Sequence, residues 1–134
     1  MTKAIQQTAT FRASPEVLYE LYMNSKKHSA ATGAPARLSR KVGGRFTAHG
    51  GALNGRNLLL VPGKMIVQSW RSTMFKKGDP DSILVLRFTK KPGGARVDMV
   101  HSNVPAYDHA GVRNGWPHYY WQRWAAYLKK NKNA

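Results

Sequence analysis

The chain has no cysteine among its 134 residues, which excludes disulfides, thiolate nucleophiles and zinc–thiolate sites together and fits a reducing compartment. Acidic residues are nearly as scarce: six Asp and Glu stand against 22 Lys and Arg, for a formal charge of +16. That thin supply offers no pair for concerted acid–base work. Glu16 and Glu20 fall on an amphipathic helix, Asp79 and Asp81 flank a turn proline, Asp98 faces away from the expected core, and Asp108 begins a loop. Long apolar runs and a signal-peptide pattern are also missing, so we expect one cytoplasmic domain spanning residues 1–134. His28, His49, His101, His109 and His118 show no HExxH or other ligand spacing, and we expect no metal. The glycines come as hairpin pairs, with neither GxxxxGK nor a GxGxxG between strand and helix, so no phosphate-cradling loop and no cofactor are expected.

What the sequence does hold is a concentration of aromatic residues near its end. In GWPHYYWQRWAAYLKK (Gly115 to Lys130), Trp116, Tyr120, Trp121, Trp124, Tyr127 and Leu128 share one side of a helix, while His118, Gln122, Arg123, Lys129 and Lys130 fill the other. Asn114 reads as its cap, with Gly115 and Pro117 in the first turn. Such a face needs a wide apolar partner surface, since each large aromatic buries about 150–250 Å².

The upstream chain supplies one. Ala4–Phe11 reads as a strand, and a helix follows that is capped by Ser14 and opened by Pro15. A second short helix spans Ser25–Thr32 and stops at Gly33. It is too short and too little basic to read a DNA groove. Six strands separated by Gly and Pro turns come next: Ala36–Arg40, Arg45–His49, Leu53–Val61, Met65–Arg71, Ser82–Thr89 and Ala95–His101. With no helices between them they form an antiparallel meander, with Leu84, Leu86, Phe88, Val97, Met99 and His101 on the core face. The reading is an α+β fold: a curved antiparallel sheet of six to seven strands around a long C-terminal helix, with two short helices after the first strand.

That order of elements resembles the helix-grip, START-like superfamily that includes the birch-pollen-allergen proteins. The segments TGAPARLSRKVGGRF (Thr32 to Phe46), LVPGKMIVQSW (Leu60 to Trp70), HSNVP (His101 to Pro105) and GWPHYYW (Gly115 to Trp121) resemble the branch named for the C-terminal domain of the activator of the heat-shock-protein-ninety ATPase. The resemblance implies a cavity between sheet and final helix, and a co-chaperone or stress-linked ligand-binding role. The chain departs from the family's pattern at Arg123 and Trp124, where relatives often carry a proline and an aliphatic residue, and in holding one Asp and no Glu after Pro105.

Two candidate sites follow. Phe46, Trp70, Leu84, Leu86, Met99, His101, Trp116 and Tyr120 line the expected cavity, where a small apolar ligand would sit with His101 as its polar anchor. The same aromatic residues are numerous enough to fill that cavity themselves, and His101 also reads as a buried histidine satisfied by the protein. In a meander, alternate turns share an end. Arg40, Lys41, Arg45, Lys64, Lys90, Lys91 and Arg96 are therefore expected to meet Lys129, Lys130 and Lys132 of the final helix in a basic end suited to an acidic protein partner such as a chaperone. The leading reading is a non-enzymatic binding module. A nucleic-acid binder using the +16 charge is the alternative, although its aromatics look buried and unavailable for stacking. A cyclase- or hydrolase-like enzyme on the same fold is the third, by fold analogy alone.

Overall fold

In a computed structural model, which describes residues 2–131, the chain forms a seven-stranded antiparallel sheet that curves around a C-terminal helical rod. Strand β1 (Ile5–Phe11) leads into α1 (Pro15–Met23) and α2 (Ser25–Thr32). Then come β2 (Arg37–Leu38), β3 (Arg45–Ala48), β4 (Leu53–Val61), β5 (Met65–Ser72), β6 (Ser82–Lys91) and β7 (Gly94–Ser102). The spatial order is β1-β7-β6-β5-β4-β3-β2: the meander runs in sequence, and β1 closes onto its last strand. The signals read for α1 and α2 act as expected. The Ser14 hydroxyl accepts from the Val17 amide, and Gly33 ends α2 in the left-handed conformation at φ 78°. The strand read over Ala36–Arg40 shrinks to Arg37–Leu38, and β3 stops at Ala48 before a tight turn, His49–Gly51.

The larger correction concerns the last helix. It begins at Ala106, not after Asn114, and runs as α3 (Ala106–Trp116), a π-helical turn (Pro117–Trp121) and α4 (Gln122–Lys130) without leaving right-handed helical angles at either junction. Asn114, Gly115 and Pro117 are therefore interior, and Asp108 lies on a helix instead of opening a loop. A proline there has no N–H to give Arg113 and crowds the preceding turn. Two adjustments absorb it. The helix widens by one residue, so that the Gln122 amide donates to Pro117 O. The carbonyl of Arg113 instead accepts from Gln7 Nε2 of β1 at 2.7 Å, and Gln7 Oε1 accepts from Trp121 Nε1 at 2.7 Å. One amide side chain thus serves both the interrupted backbone and an indole beside it.

The aromatic face of the rod packs on the concave side of the sheet, as the period required. Trp116, Tyr120, Trp121 and Trp124 are buried together with Ile66, Leu84, Leu86, Phe88, Val97 and Met99, and Tyr127 and Leu128 cover the margin. Trp124 is fully buried, 5.7 Å from Phe11 and 5.4 Å from Trp121 between ring centres; truncating such a residue costs about 3–5 kcal/mol. Gly55 makes room for this packing. It stands in register between Phe46 and Trp70, and a Cβ there would fall 1.8 Å from Ser69 O and 2.8 Å from the Phe46 ring.

Replacing Gln7 by Leu removes both bonds that bridge the π turn and leaves the Trp121 indole without its acceptor. The expected loss is about 1–2 kcal/mol in urea unfolding at neutral pH, with the fold retained; a variant as stable as the parent contradicts this role for Gln7.

Candidate functional site

The eight residues read as cavity-lining all face the concave side, and all are buried. They do not share one cavity. Phe46, Leu84, Leu86 and Met99 belong to the packed core. Trp70, Trp116 and Tyr120 reach an open pocket of about 480 Å³ where α3 crosses the β3–β4 turn and β5, away from the middle of the sheet. His49, Leu53, Ser72, Met74, Asp108, Val112, Gly115 and Tyr119 also line it. Two of these, Asp108 and Val112, escape a sequence reading that starts the final helix after Asn114 and leaves a loop before it. The signal is nonetheless present in the four-residue spacing of Asp108, Val112, Trp116, Tyr120 and Trp124, which continues the aromatic stripe backwards by two turns.

His101 does not line that pocket; it is spent inside the protein. Trp116 Nε1 donates to its Nδ1 at 3.1 Å, so the ring proton sits on Nε2, which donates to Ser82 Oγ at 2.8 Å. The Ser82 hydroxyl passes on to Trp70 O at 2.6 Å. Each donor and acceptor along this path has one assignment, and the imidazole is neutral: burial first, then the positive charge of His109, lowers its pKa to about 3. A second path runs through His28, whose Nδ1–H donates to Tyr22 O at 2.8 Å while Nε2 accepts from the Tyr120 hydroxyl at 3.0 Å. Burial lowers its pKa to about 4. Beside it, Tyr22 donates to Gln68 Oε1, Gln68 Nε2 to Asn57 Oδ1, and Asn57 Nδ2 to the carbonyls of Ser39 and Lys41. Two buried side-chain donors stay unpaired among the described residues, the indole N–H groups of Trp70 and Trp124.

The pocket's polar groups are sparse. His49 holds a left-handed φ of 52°, and burial followed by the nearby Arg123 charge lowers its pKa. Asp108 is raised by burial alone. The loop at the mouth is tied by Arg71, which donates to the carbonyls of Asp79 and Lys76 and pairs with Asp81 at 3.2 Å, and by the Tyr107 hydroxyl on Asp79.

At the opposite end, the β2–β3, β4–β5 and β6–β7 turns lie together, as the strand order dictates, carrying Arg40, Lys41 and Arg45, then Lys64, then Lys90 and Lys91. The rod ends near them, since Trp124 meets Phe11 at the close of β1, which is paired there with Ala95 of β7. That end carries Lys129 and Lys130; Lys132 lies outside the described residues. Helix α1 crosses the same end and brings acids with it. Glu20 pairs with Arg40 at 2.6 Å, and Glu16 lies against Gly63. Arg96 pairs with Asp98 at 3.0 Å. Lys41, Arg45, Lys64, Lys90, Lys91, Lys129 and Lys130 take part in no ion pair among the described residues.

A bent antiparallel sheet gripping a C-terminal helix, with two short helices after the first strand, places the protein in the helix-grip class. A crystal structure of a Mesorhizobium loti protein matches with a TM-score of 0.83 at 19% identity, over 96% of this chain and 98% of that one. A crystal structure of an HSP90 activator from Plasmodium falciparum matches with a TM-score of 0.81 at 23% identity, over 89% and 91% of the two chains. Within that class, the family model described as Activator of Hsp90 ATPase homolog 1-like protein matches residues 12–129, and the chain belongs to this family. It is 35% identical over 113 residues to the human Activator of 90 kDa heat shock protein ATPase homolog 1, covering 84% of this chain and 33% of that protein. To the Dictyostelium discoideum homologue it is 28% identical over 115 residues, 86% of this chain and 30% of that one. The chain spans about a third of the length of these curated relatives.

The two neutral histidines set an acid limit on stability. In the unfolded chain they take up protons near the ordinary histidine value of 6.5, but when folded only near about 4 and about 3. Between those limits the unfolded state binds more protons, so stability is unaffected above pH 7 and falls as pH drops from 6.5 toward 4. The loss is on the order of 3 kcal/mol per histidine. His101→Asn keeps an acceptor for the Trp116 indole and is expected to flatten its share of the slope in urea midpoints measured against pH; an unchanged slope contradicts the assignment.

Proposed function

We propose that this protein is a non-enzymatic, cytoplasmic accessory module of the chaperone-activator family, docking by its basic end on an acidic surface of an Hsp90-class ATPase. The carrying observation is the convergence of unpaired Lys41, Arg45, Lys64, Lys90, Lys91, Lys129 and Lys130 at one end of a molecule with formal charge +16. Such a field steers encounter and registers the complex, and its effect falls with ionic strength. Neither buried histidine has a free ring nitrogen, which supports binding without bond chemistry. The human relative is named as an activator of the 90 kDa heat shock protein ATPase; whether docking by this chain also stimulates hydrolysis belongs to the same proposal. Reversing Lys90, Lys91 and Lys130 to Glu together is expected to weaken binding to the full-length chaperone by about tenfold or more in calorimetry, and to reduce the salt dependence. Unchanged affinity removes the basic end from the function. Tighter binding to a nucleic-acid duplex than to the chaperone, with a steep salt slope, favours the nucleic-acid alternative.

A second reading, a small apolar ligand in the open pocket, is supported by its largely apolar wall. Gly115 lies on the wall, and a Cβ placed there would meet the Tyr119 ring as its nearest neighbour at 3.6 Å, so Gly115→Leu is expected to plug the pocket without unfolding the helix. Native mass spectrometry of protein from its own cells is expected to show a bound small molecule that the plugged variant lacks; both species free of it contradict this reading.

A further inference from the structure

The helices pack on the concave side of the sheet, and on the convex side the strand register sets two unlike surfaces next to each other. Leu59, Val67, Val85 and Val100 stand opposite one another across β4, β5, β6 and β7. Outward positions of a sheet open to water are ordinarily polar. Here they form an aliphatic row, with Leu59 44% exposed and Leu58, the extra residue of the β4 bulge, 46% exposed at one end. In the adjoining register Arg45 of β3 faces Arg56 of β4, both exposed, and Arg37 follows on β2 opposite Thr47. Like charges directly across a ladder oppose folding. No carboxylate relieves them: the three ion pairs among the described residues are made by Arg40, Arg71 and Arg96, and Arg56 Nη1 donates only to Gly43 O at 3.1 Å.

We infer that this convex face is a docking surface for an acidic, aliphatic-rich segment of a protein partner. Its carboxylates lie on Arg45 and Arg56, and its aliphatic side chains on the Leu59–Val67–Val85 row. The charge selects an anionic partner. The neighbouring aliphatic row selects a protein segment over nucleic acid, because these outward positions offer no aromatic ring on which a base would stack. The inference rests on the reading of the partner as an acidic protein and extends the basic end, with Arg45 at the corner, onto the face of the sheet.

A short synthetic peptide of alternating Glu and Leu, titrated into isotope-labelled protein at physiological salt and followed by amide chemical shifts, tests it without any chaperone present. Saturable shifts are expected at Arg45, Arg56, Val67 and Val85. Arg45→Glu with Arg56→Glu is expected to weaken binding about tenfold or more, while Lys90→Glu with Lys91→Glu changes it less than about threefold, and an all-Glu peptide of equal length binds about tenfold more weakly. Arg45→Glu alone is expected to raise the thermal midpoint of the free protein by a few degrees while weakening the complex, since it turns a like-charge pair into an opposite one. Absence of saturable shifts, shifts confined to the turns, equal binding of the all-Glu peptide, or tighter binding of a single-stranded oligonucleotide on the same amides overturns the inference. Failure of the chaperone to bind leaves the peptide result standing, so the two readings fail separately.

Discussion

The structure depends on seating one aromatic helical rod in the hollow of a bent sheet. Trp116, Tyr120 and Trp124 recur every fourth residue, and a regular α-helix lets such a stripe drift slowly around its axis. The π turn at Pro117–Trp121 inserts its extra residue in the middle of that stripe. The turn therefore readjusts the face that the second half of the rod turns toward β1, where Trp121 reaches Gln7 and Trp124 reaches Phe11. Proline would ordinarily break a helix here. It is tolerated because β1 supplies Gln7 to the carbonyl left without an amide.

The filling of the hollow decides what the molecule can do. Four tryptophans, with Tyr22 and Tyr120, occupy the space that in a helix-grip fold would otherwise lie between sheet and helix. Two hydrogen-bonded paths, through His101 and through His28, then fix how the rings sit. Both histidines are held as single neutral tautomers, so neither is free to exchange protons with a substrate. An open pocket lies under α3, at the end of the molecule opposite the β2–β3, β4–β5 and β6–β7 turns.

Most of this architecture is legible in the sequence because it rests on periodicities. Alternation assigns Leu84, Leu86, Phe88, Val97 and Met99 to one face, and all are buried; Ser14 and Gly33 mark helix ends and cap them. The start of the rod is not legible, for a physical reason. Asn114, Gly115 and Pro117 together imitate a helix N-terminus, and only a side chain more than a hundred residues away, Gln7, makes them acceptable inside one. That same imitation hides Asp108 and Val112, and with them the α3 side of the pocket. The partners of His101 are equally unreadable. A buried histidine predicts some partner, but only the folded register brings Ser82 and Trp116 to its two nitrogens.

The distribution of the six acids explains why so large a charge is compatible with a stable fold and where that charge is left acting. Glu20, Asp81 and Asp98 are committed to arginines, and Asp79 to the Lys76 amide and Tyr107, which ties the loop at the pocket mouth. Exposed pairs of this kind contribute less than about 1 kcal/mol each. Their larger effect is positional. Arg71 and Arg96 are neutralised where they stand, while the turn end keeps Lys41, Arg45, Lys64, Lys90, Lys91, Lys129 and Lys130 outside any ion pair among the described residues, and Arg56 stands beside Arg45. Self-repulsion among them opposes the compact state. The packing of the rod thus supplies the stability that permits an electrostatically strained surface, and the strain favours whatever anionic surface covers it.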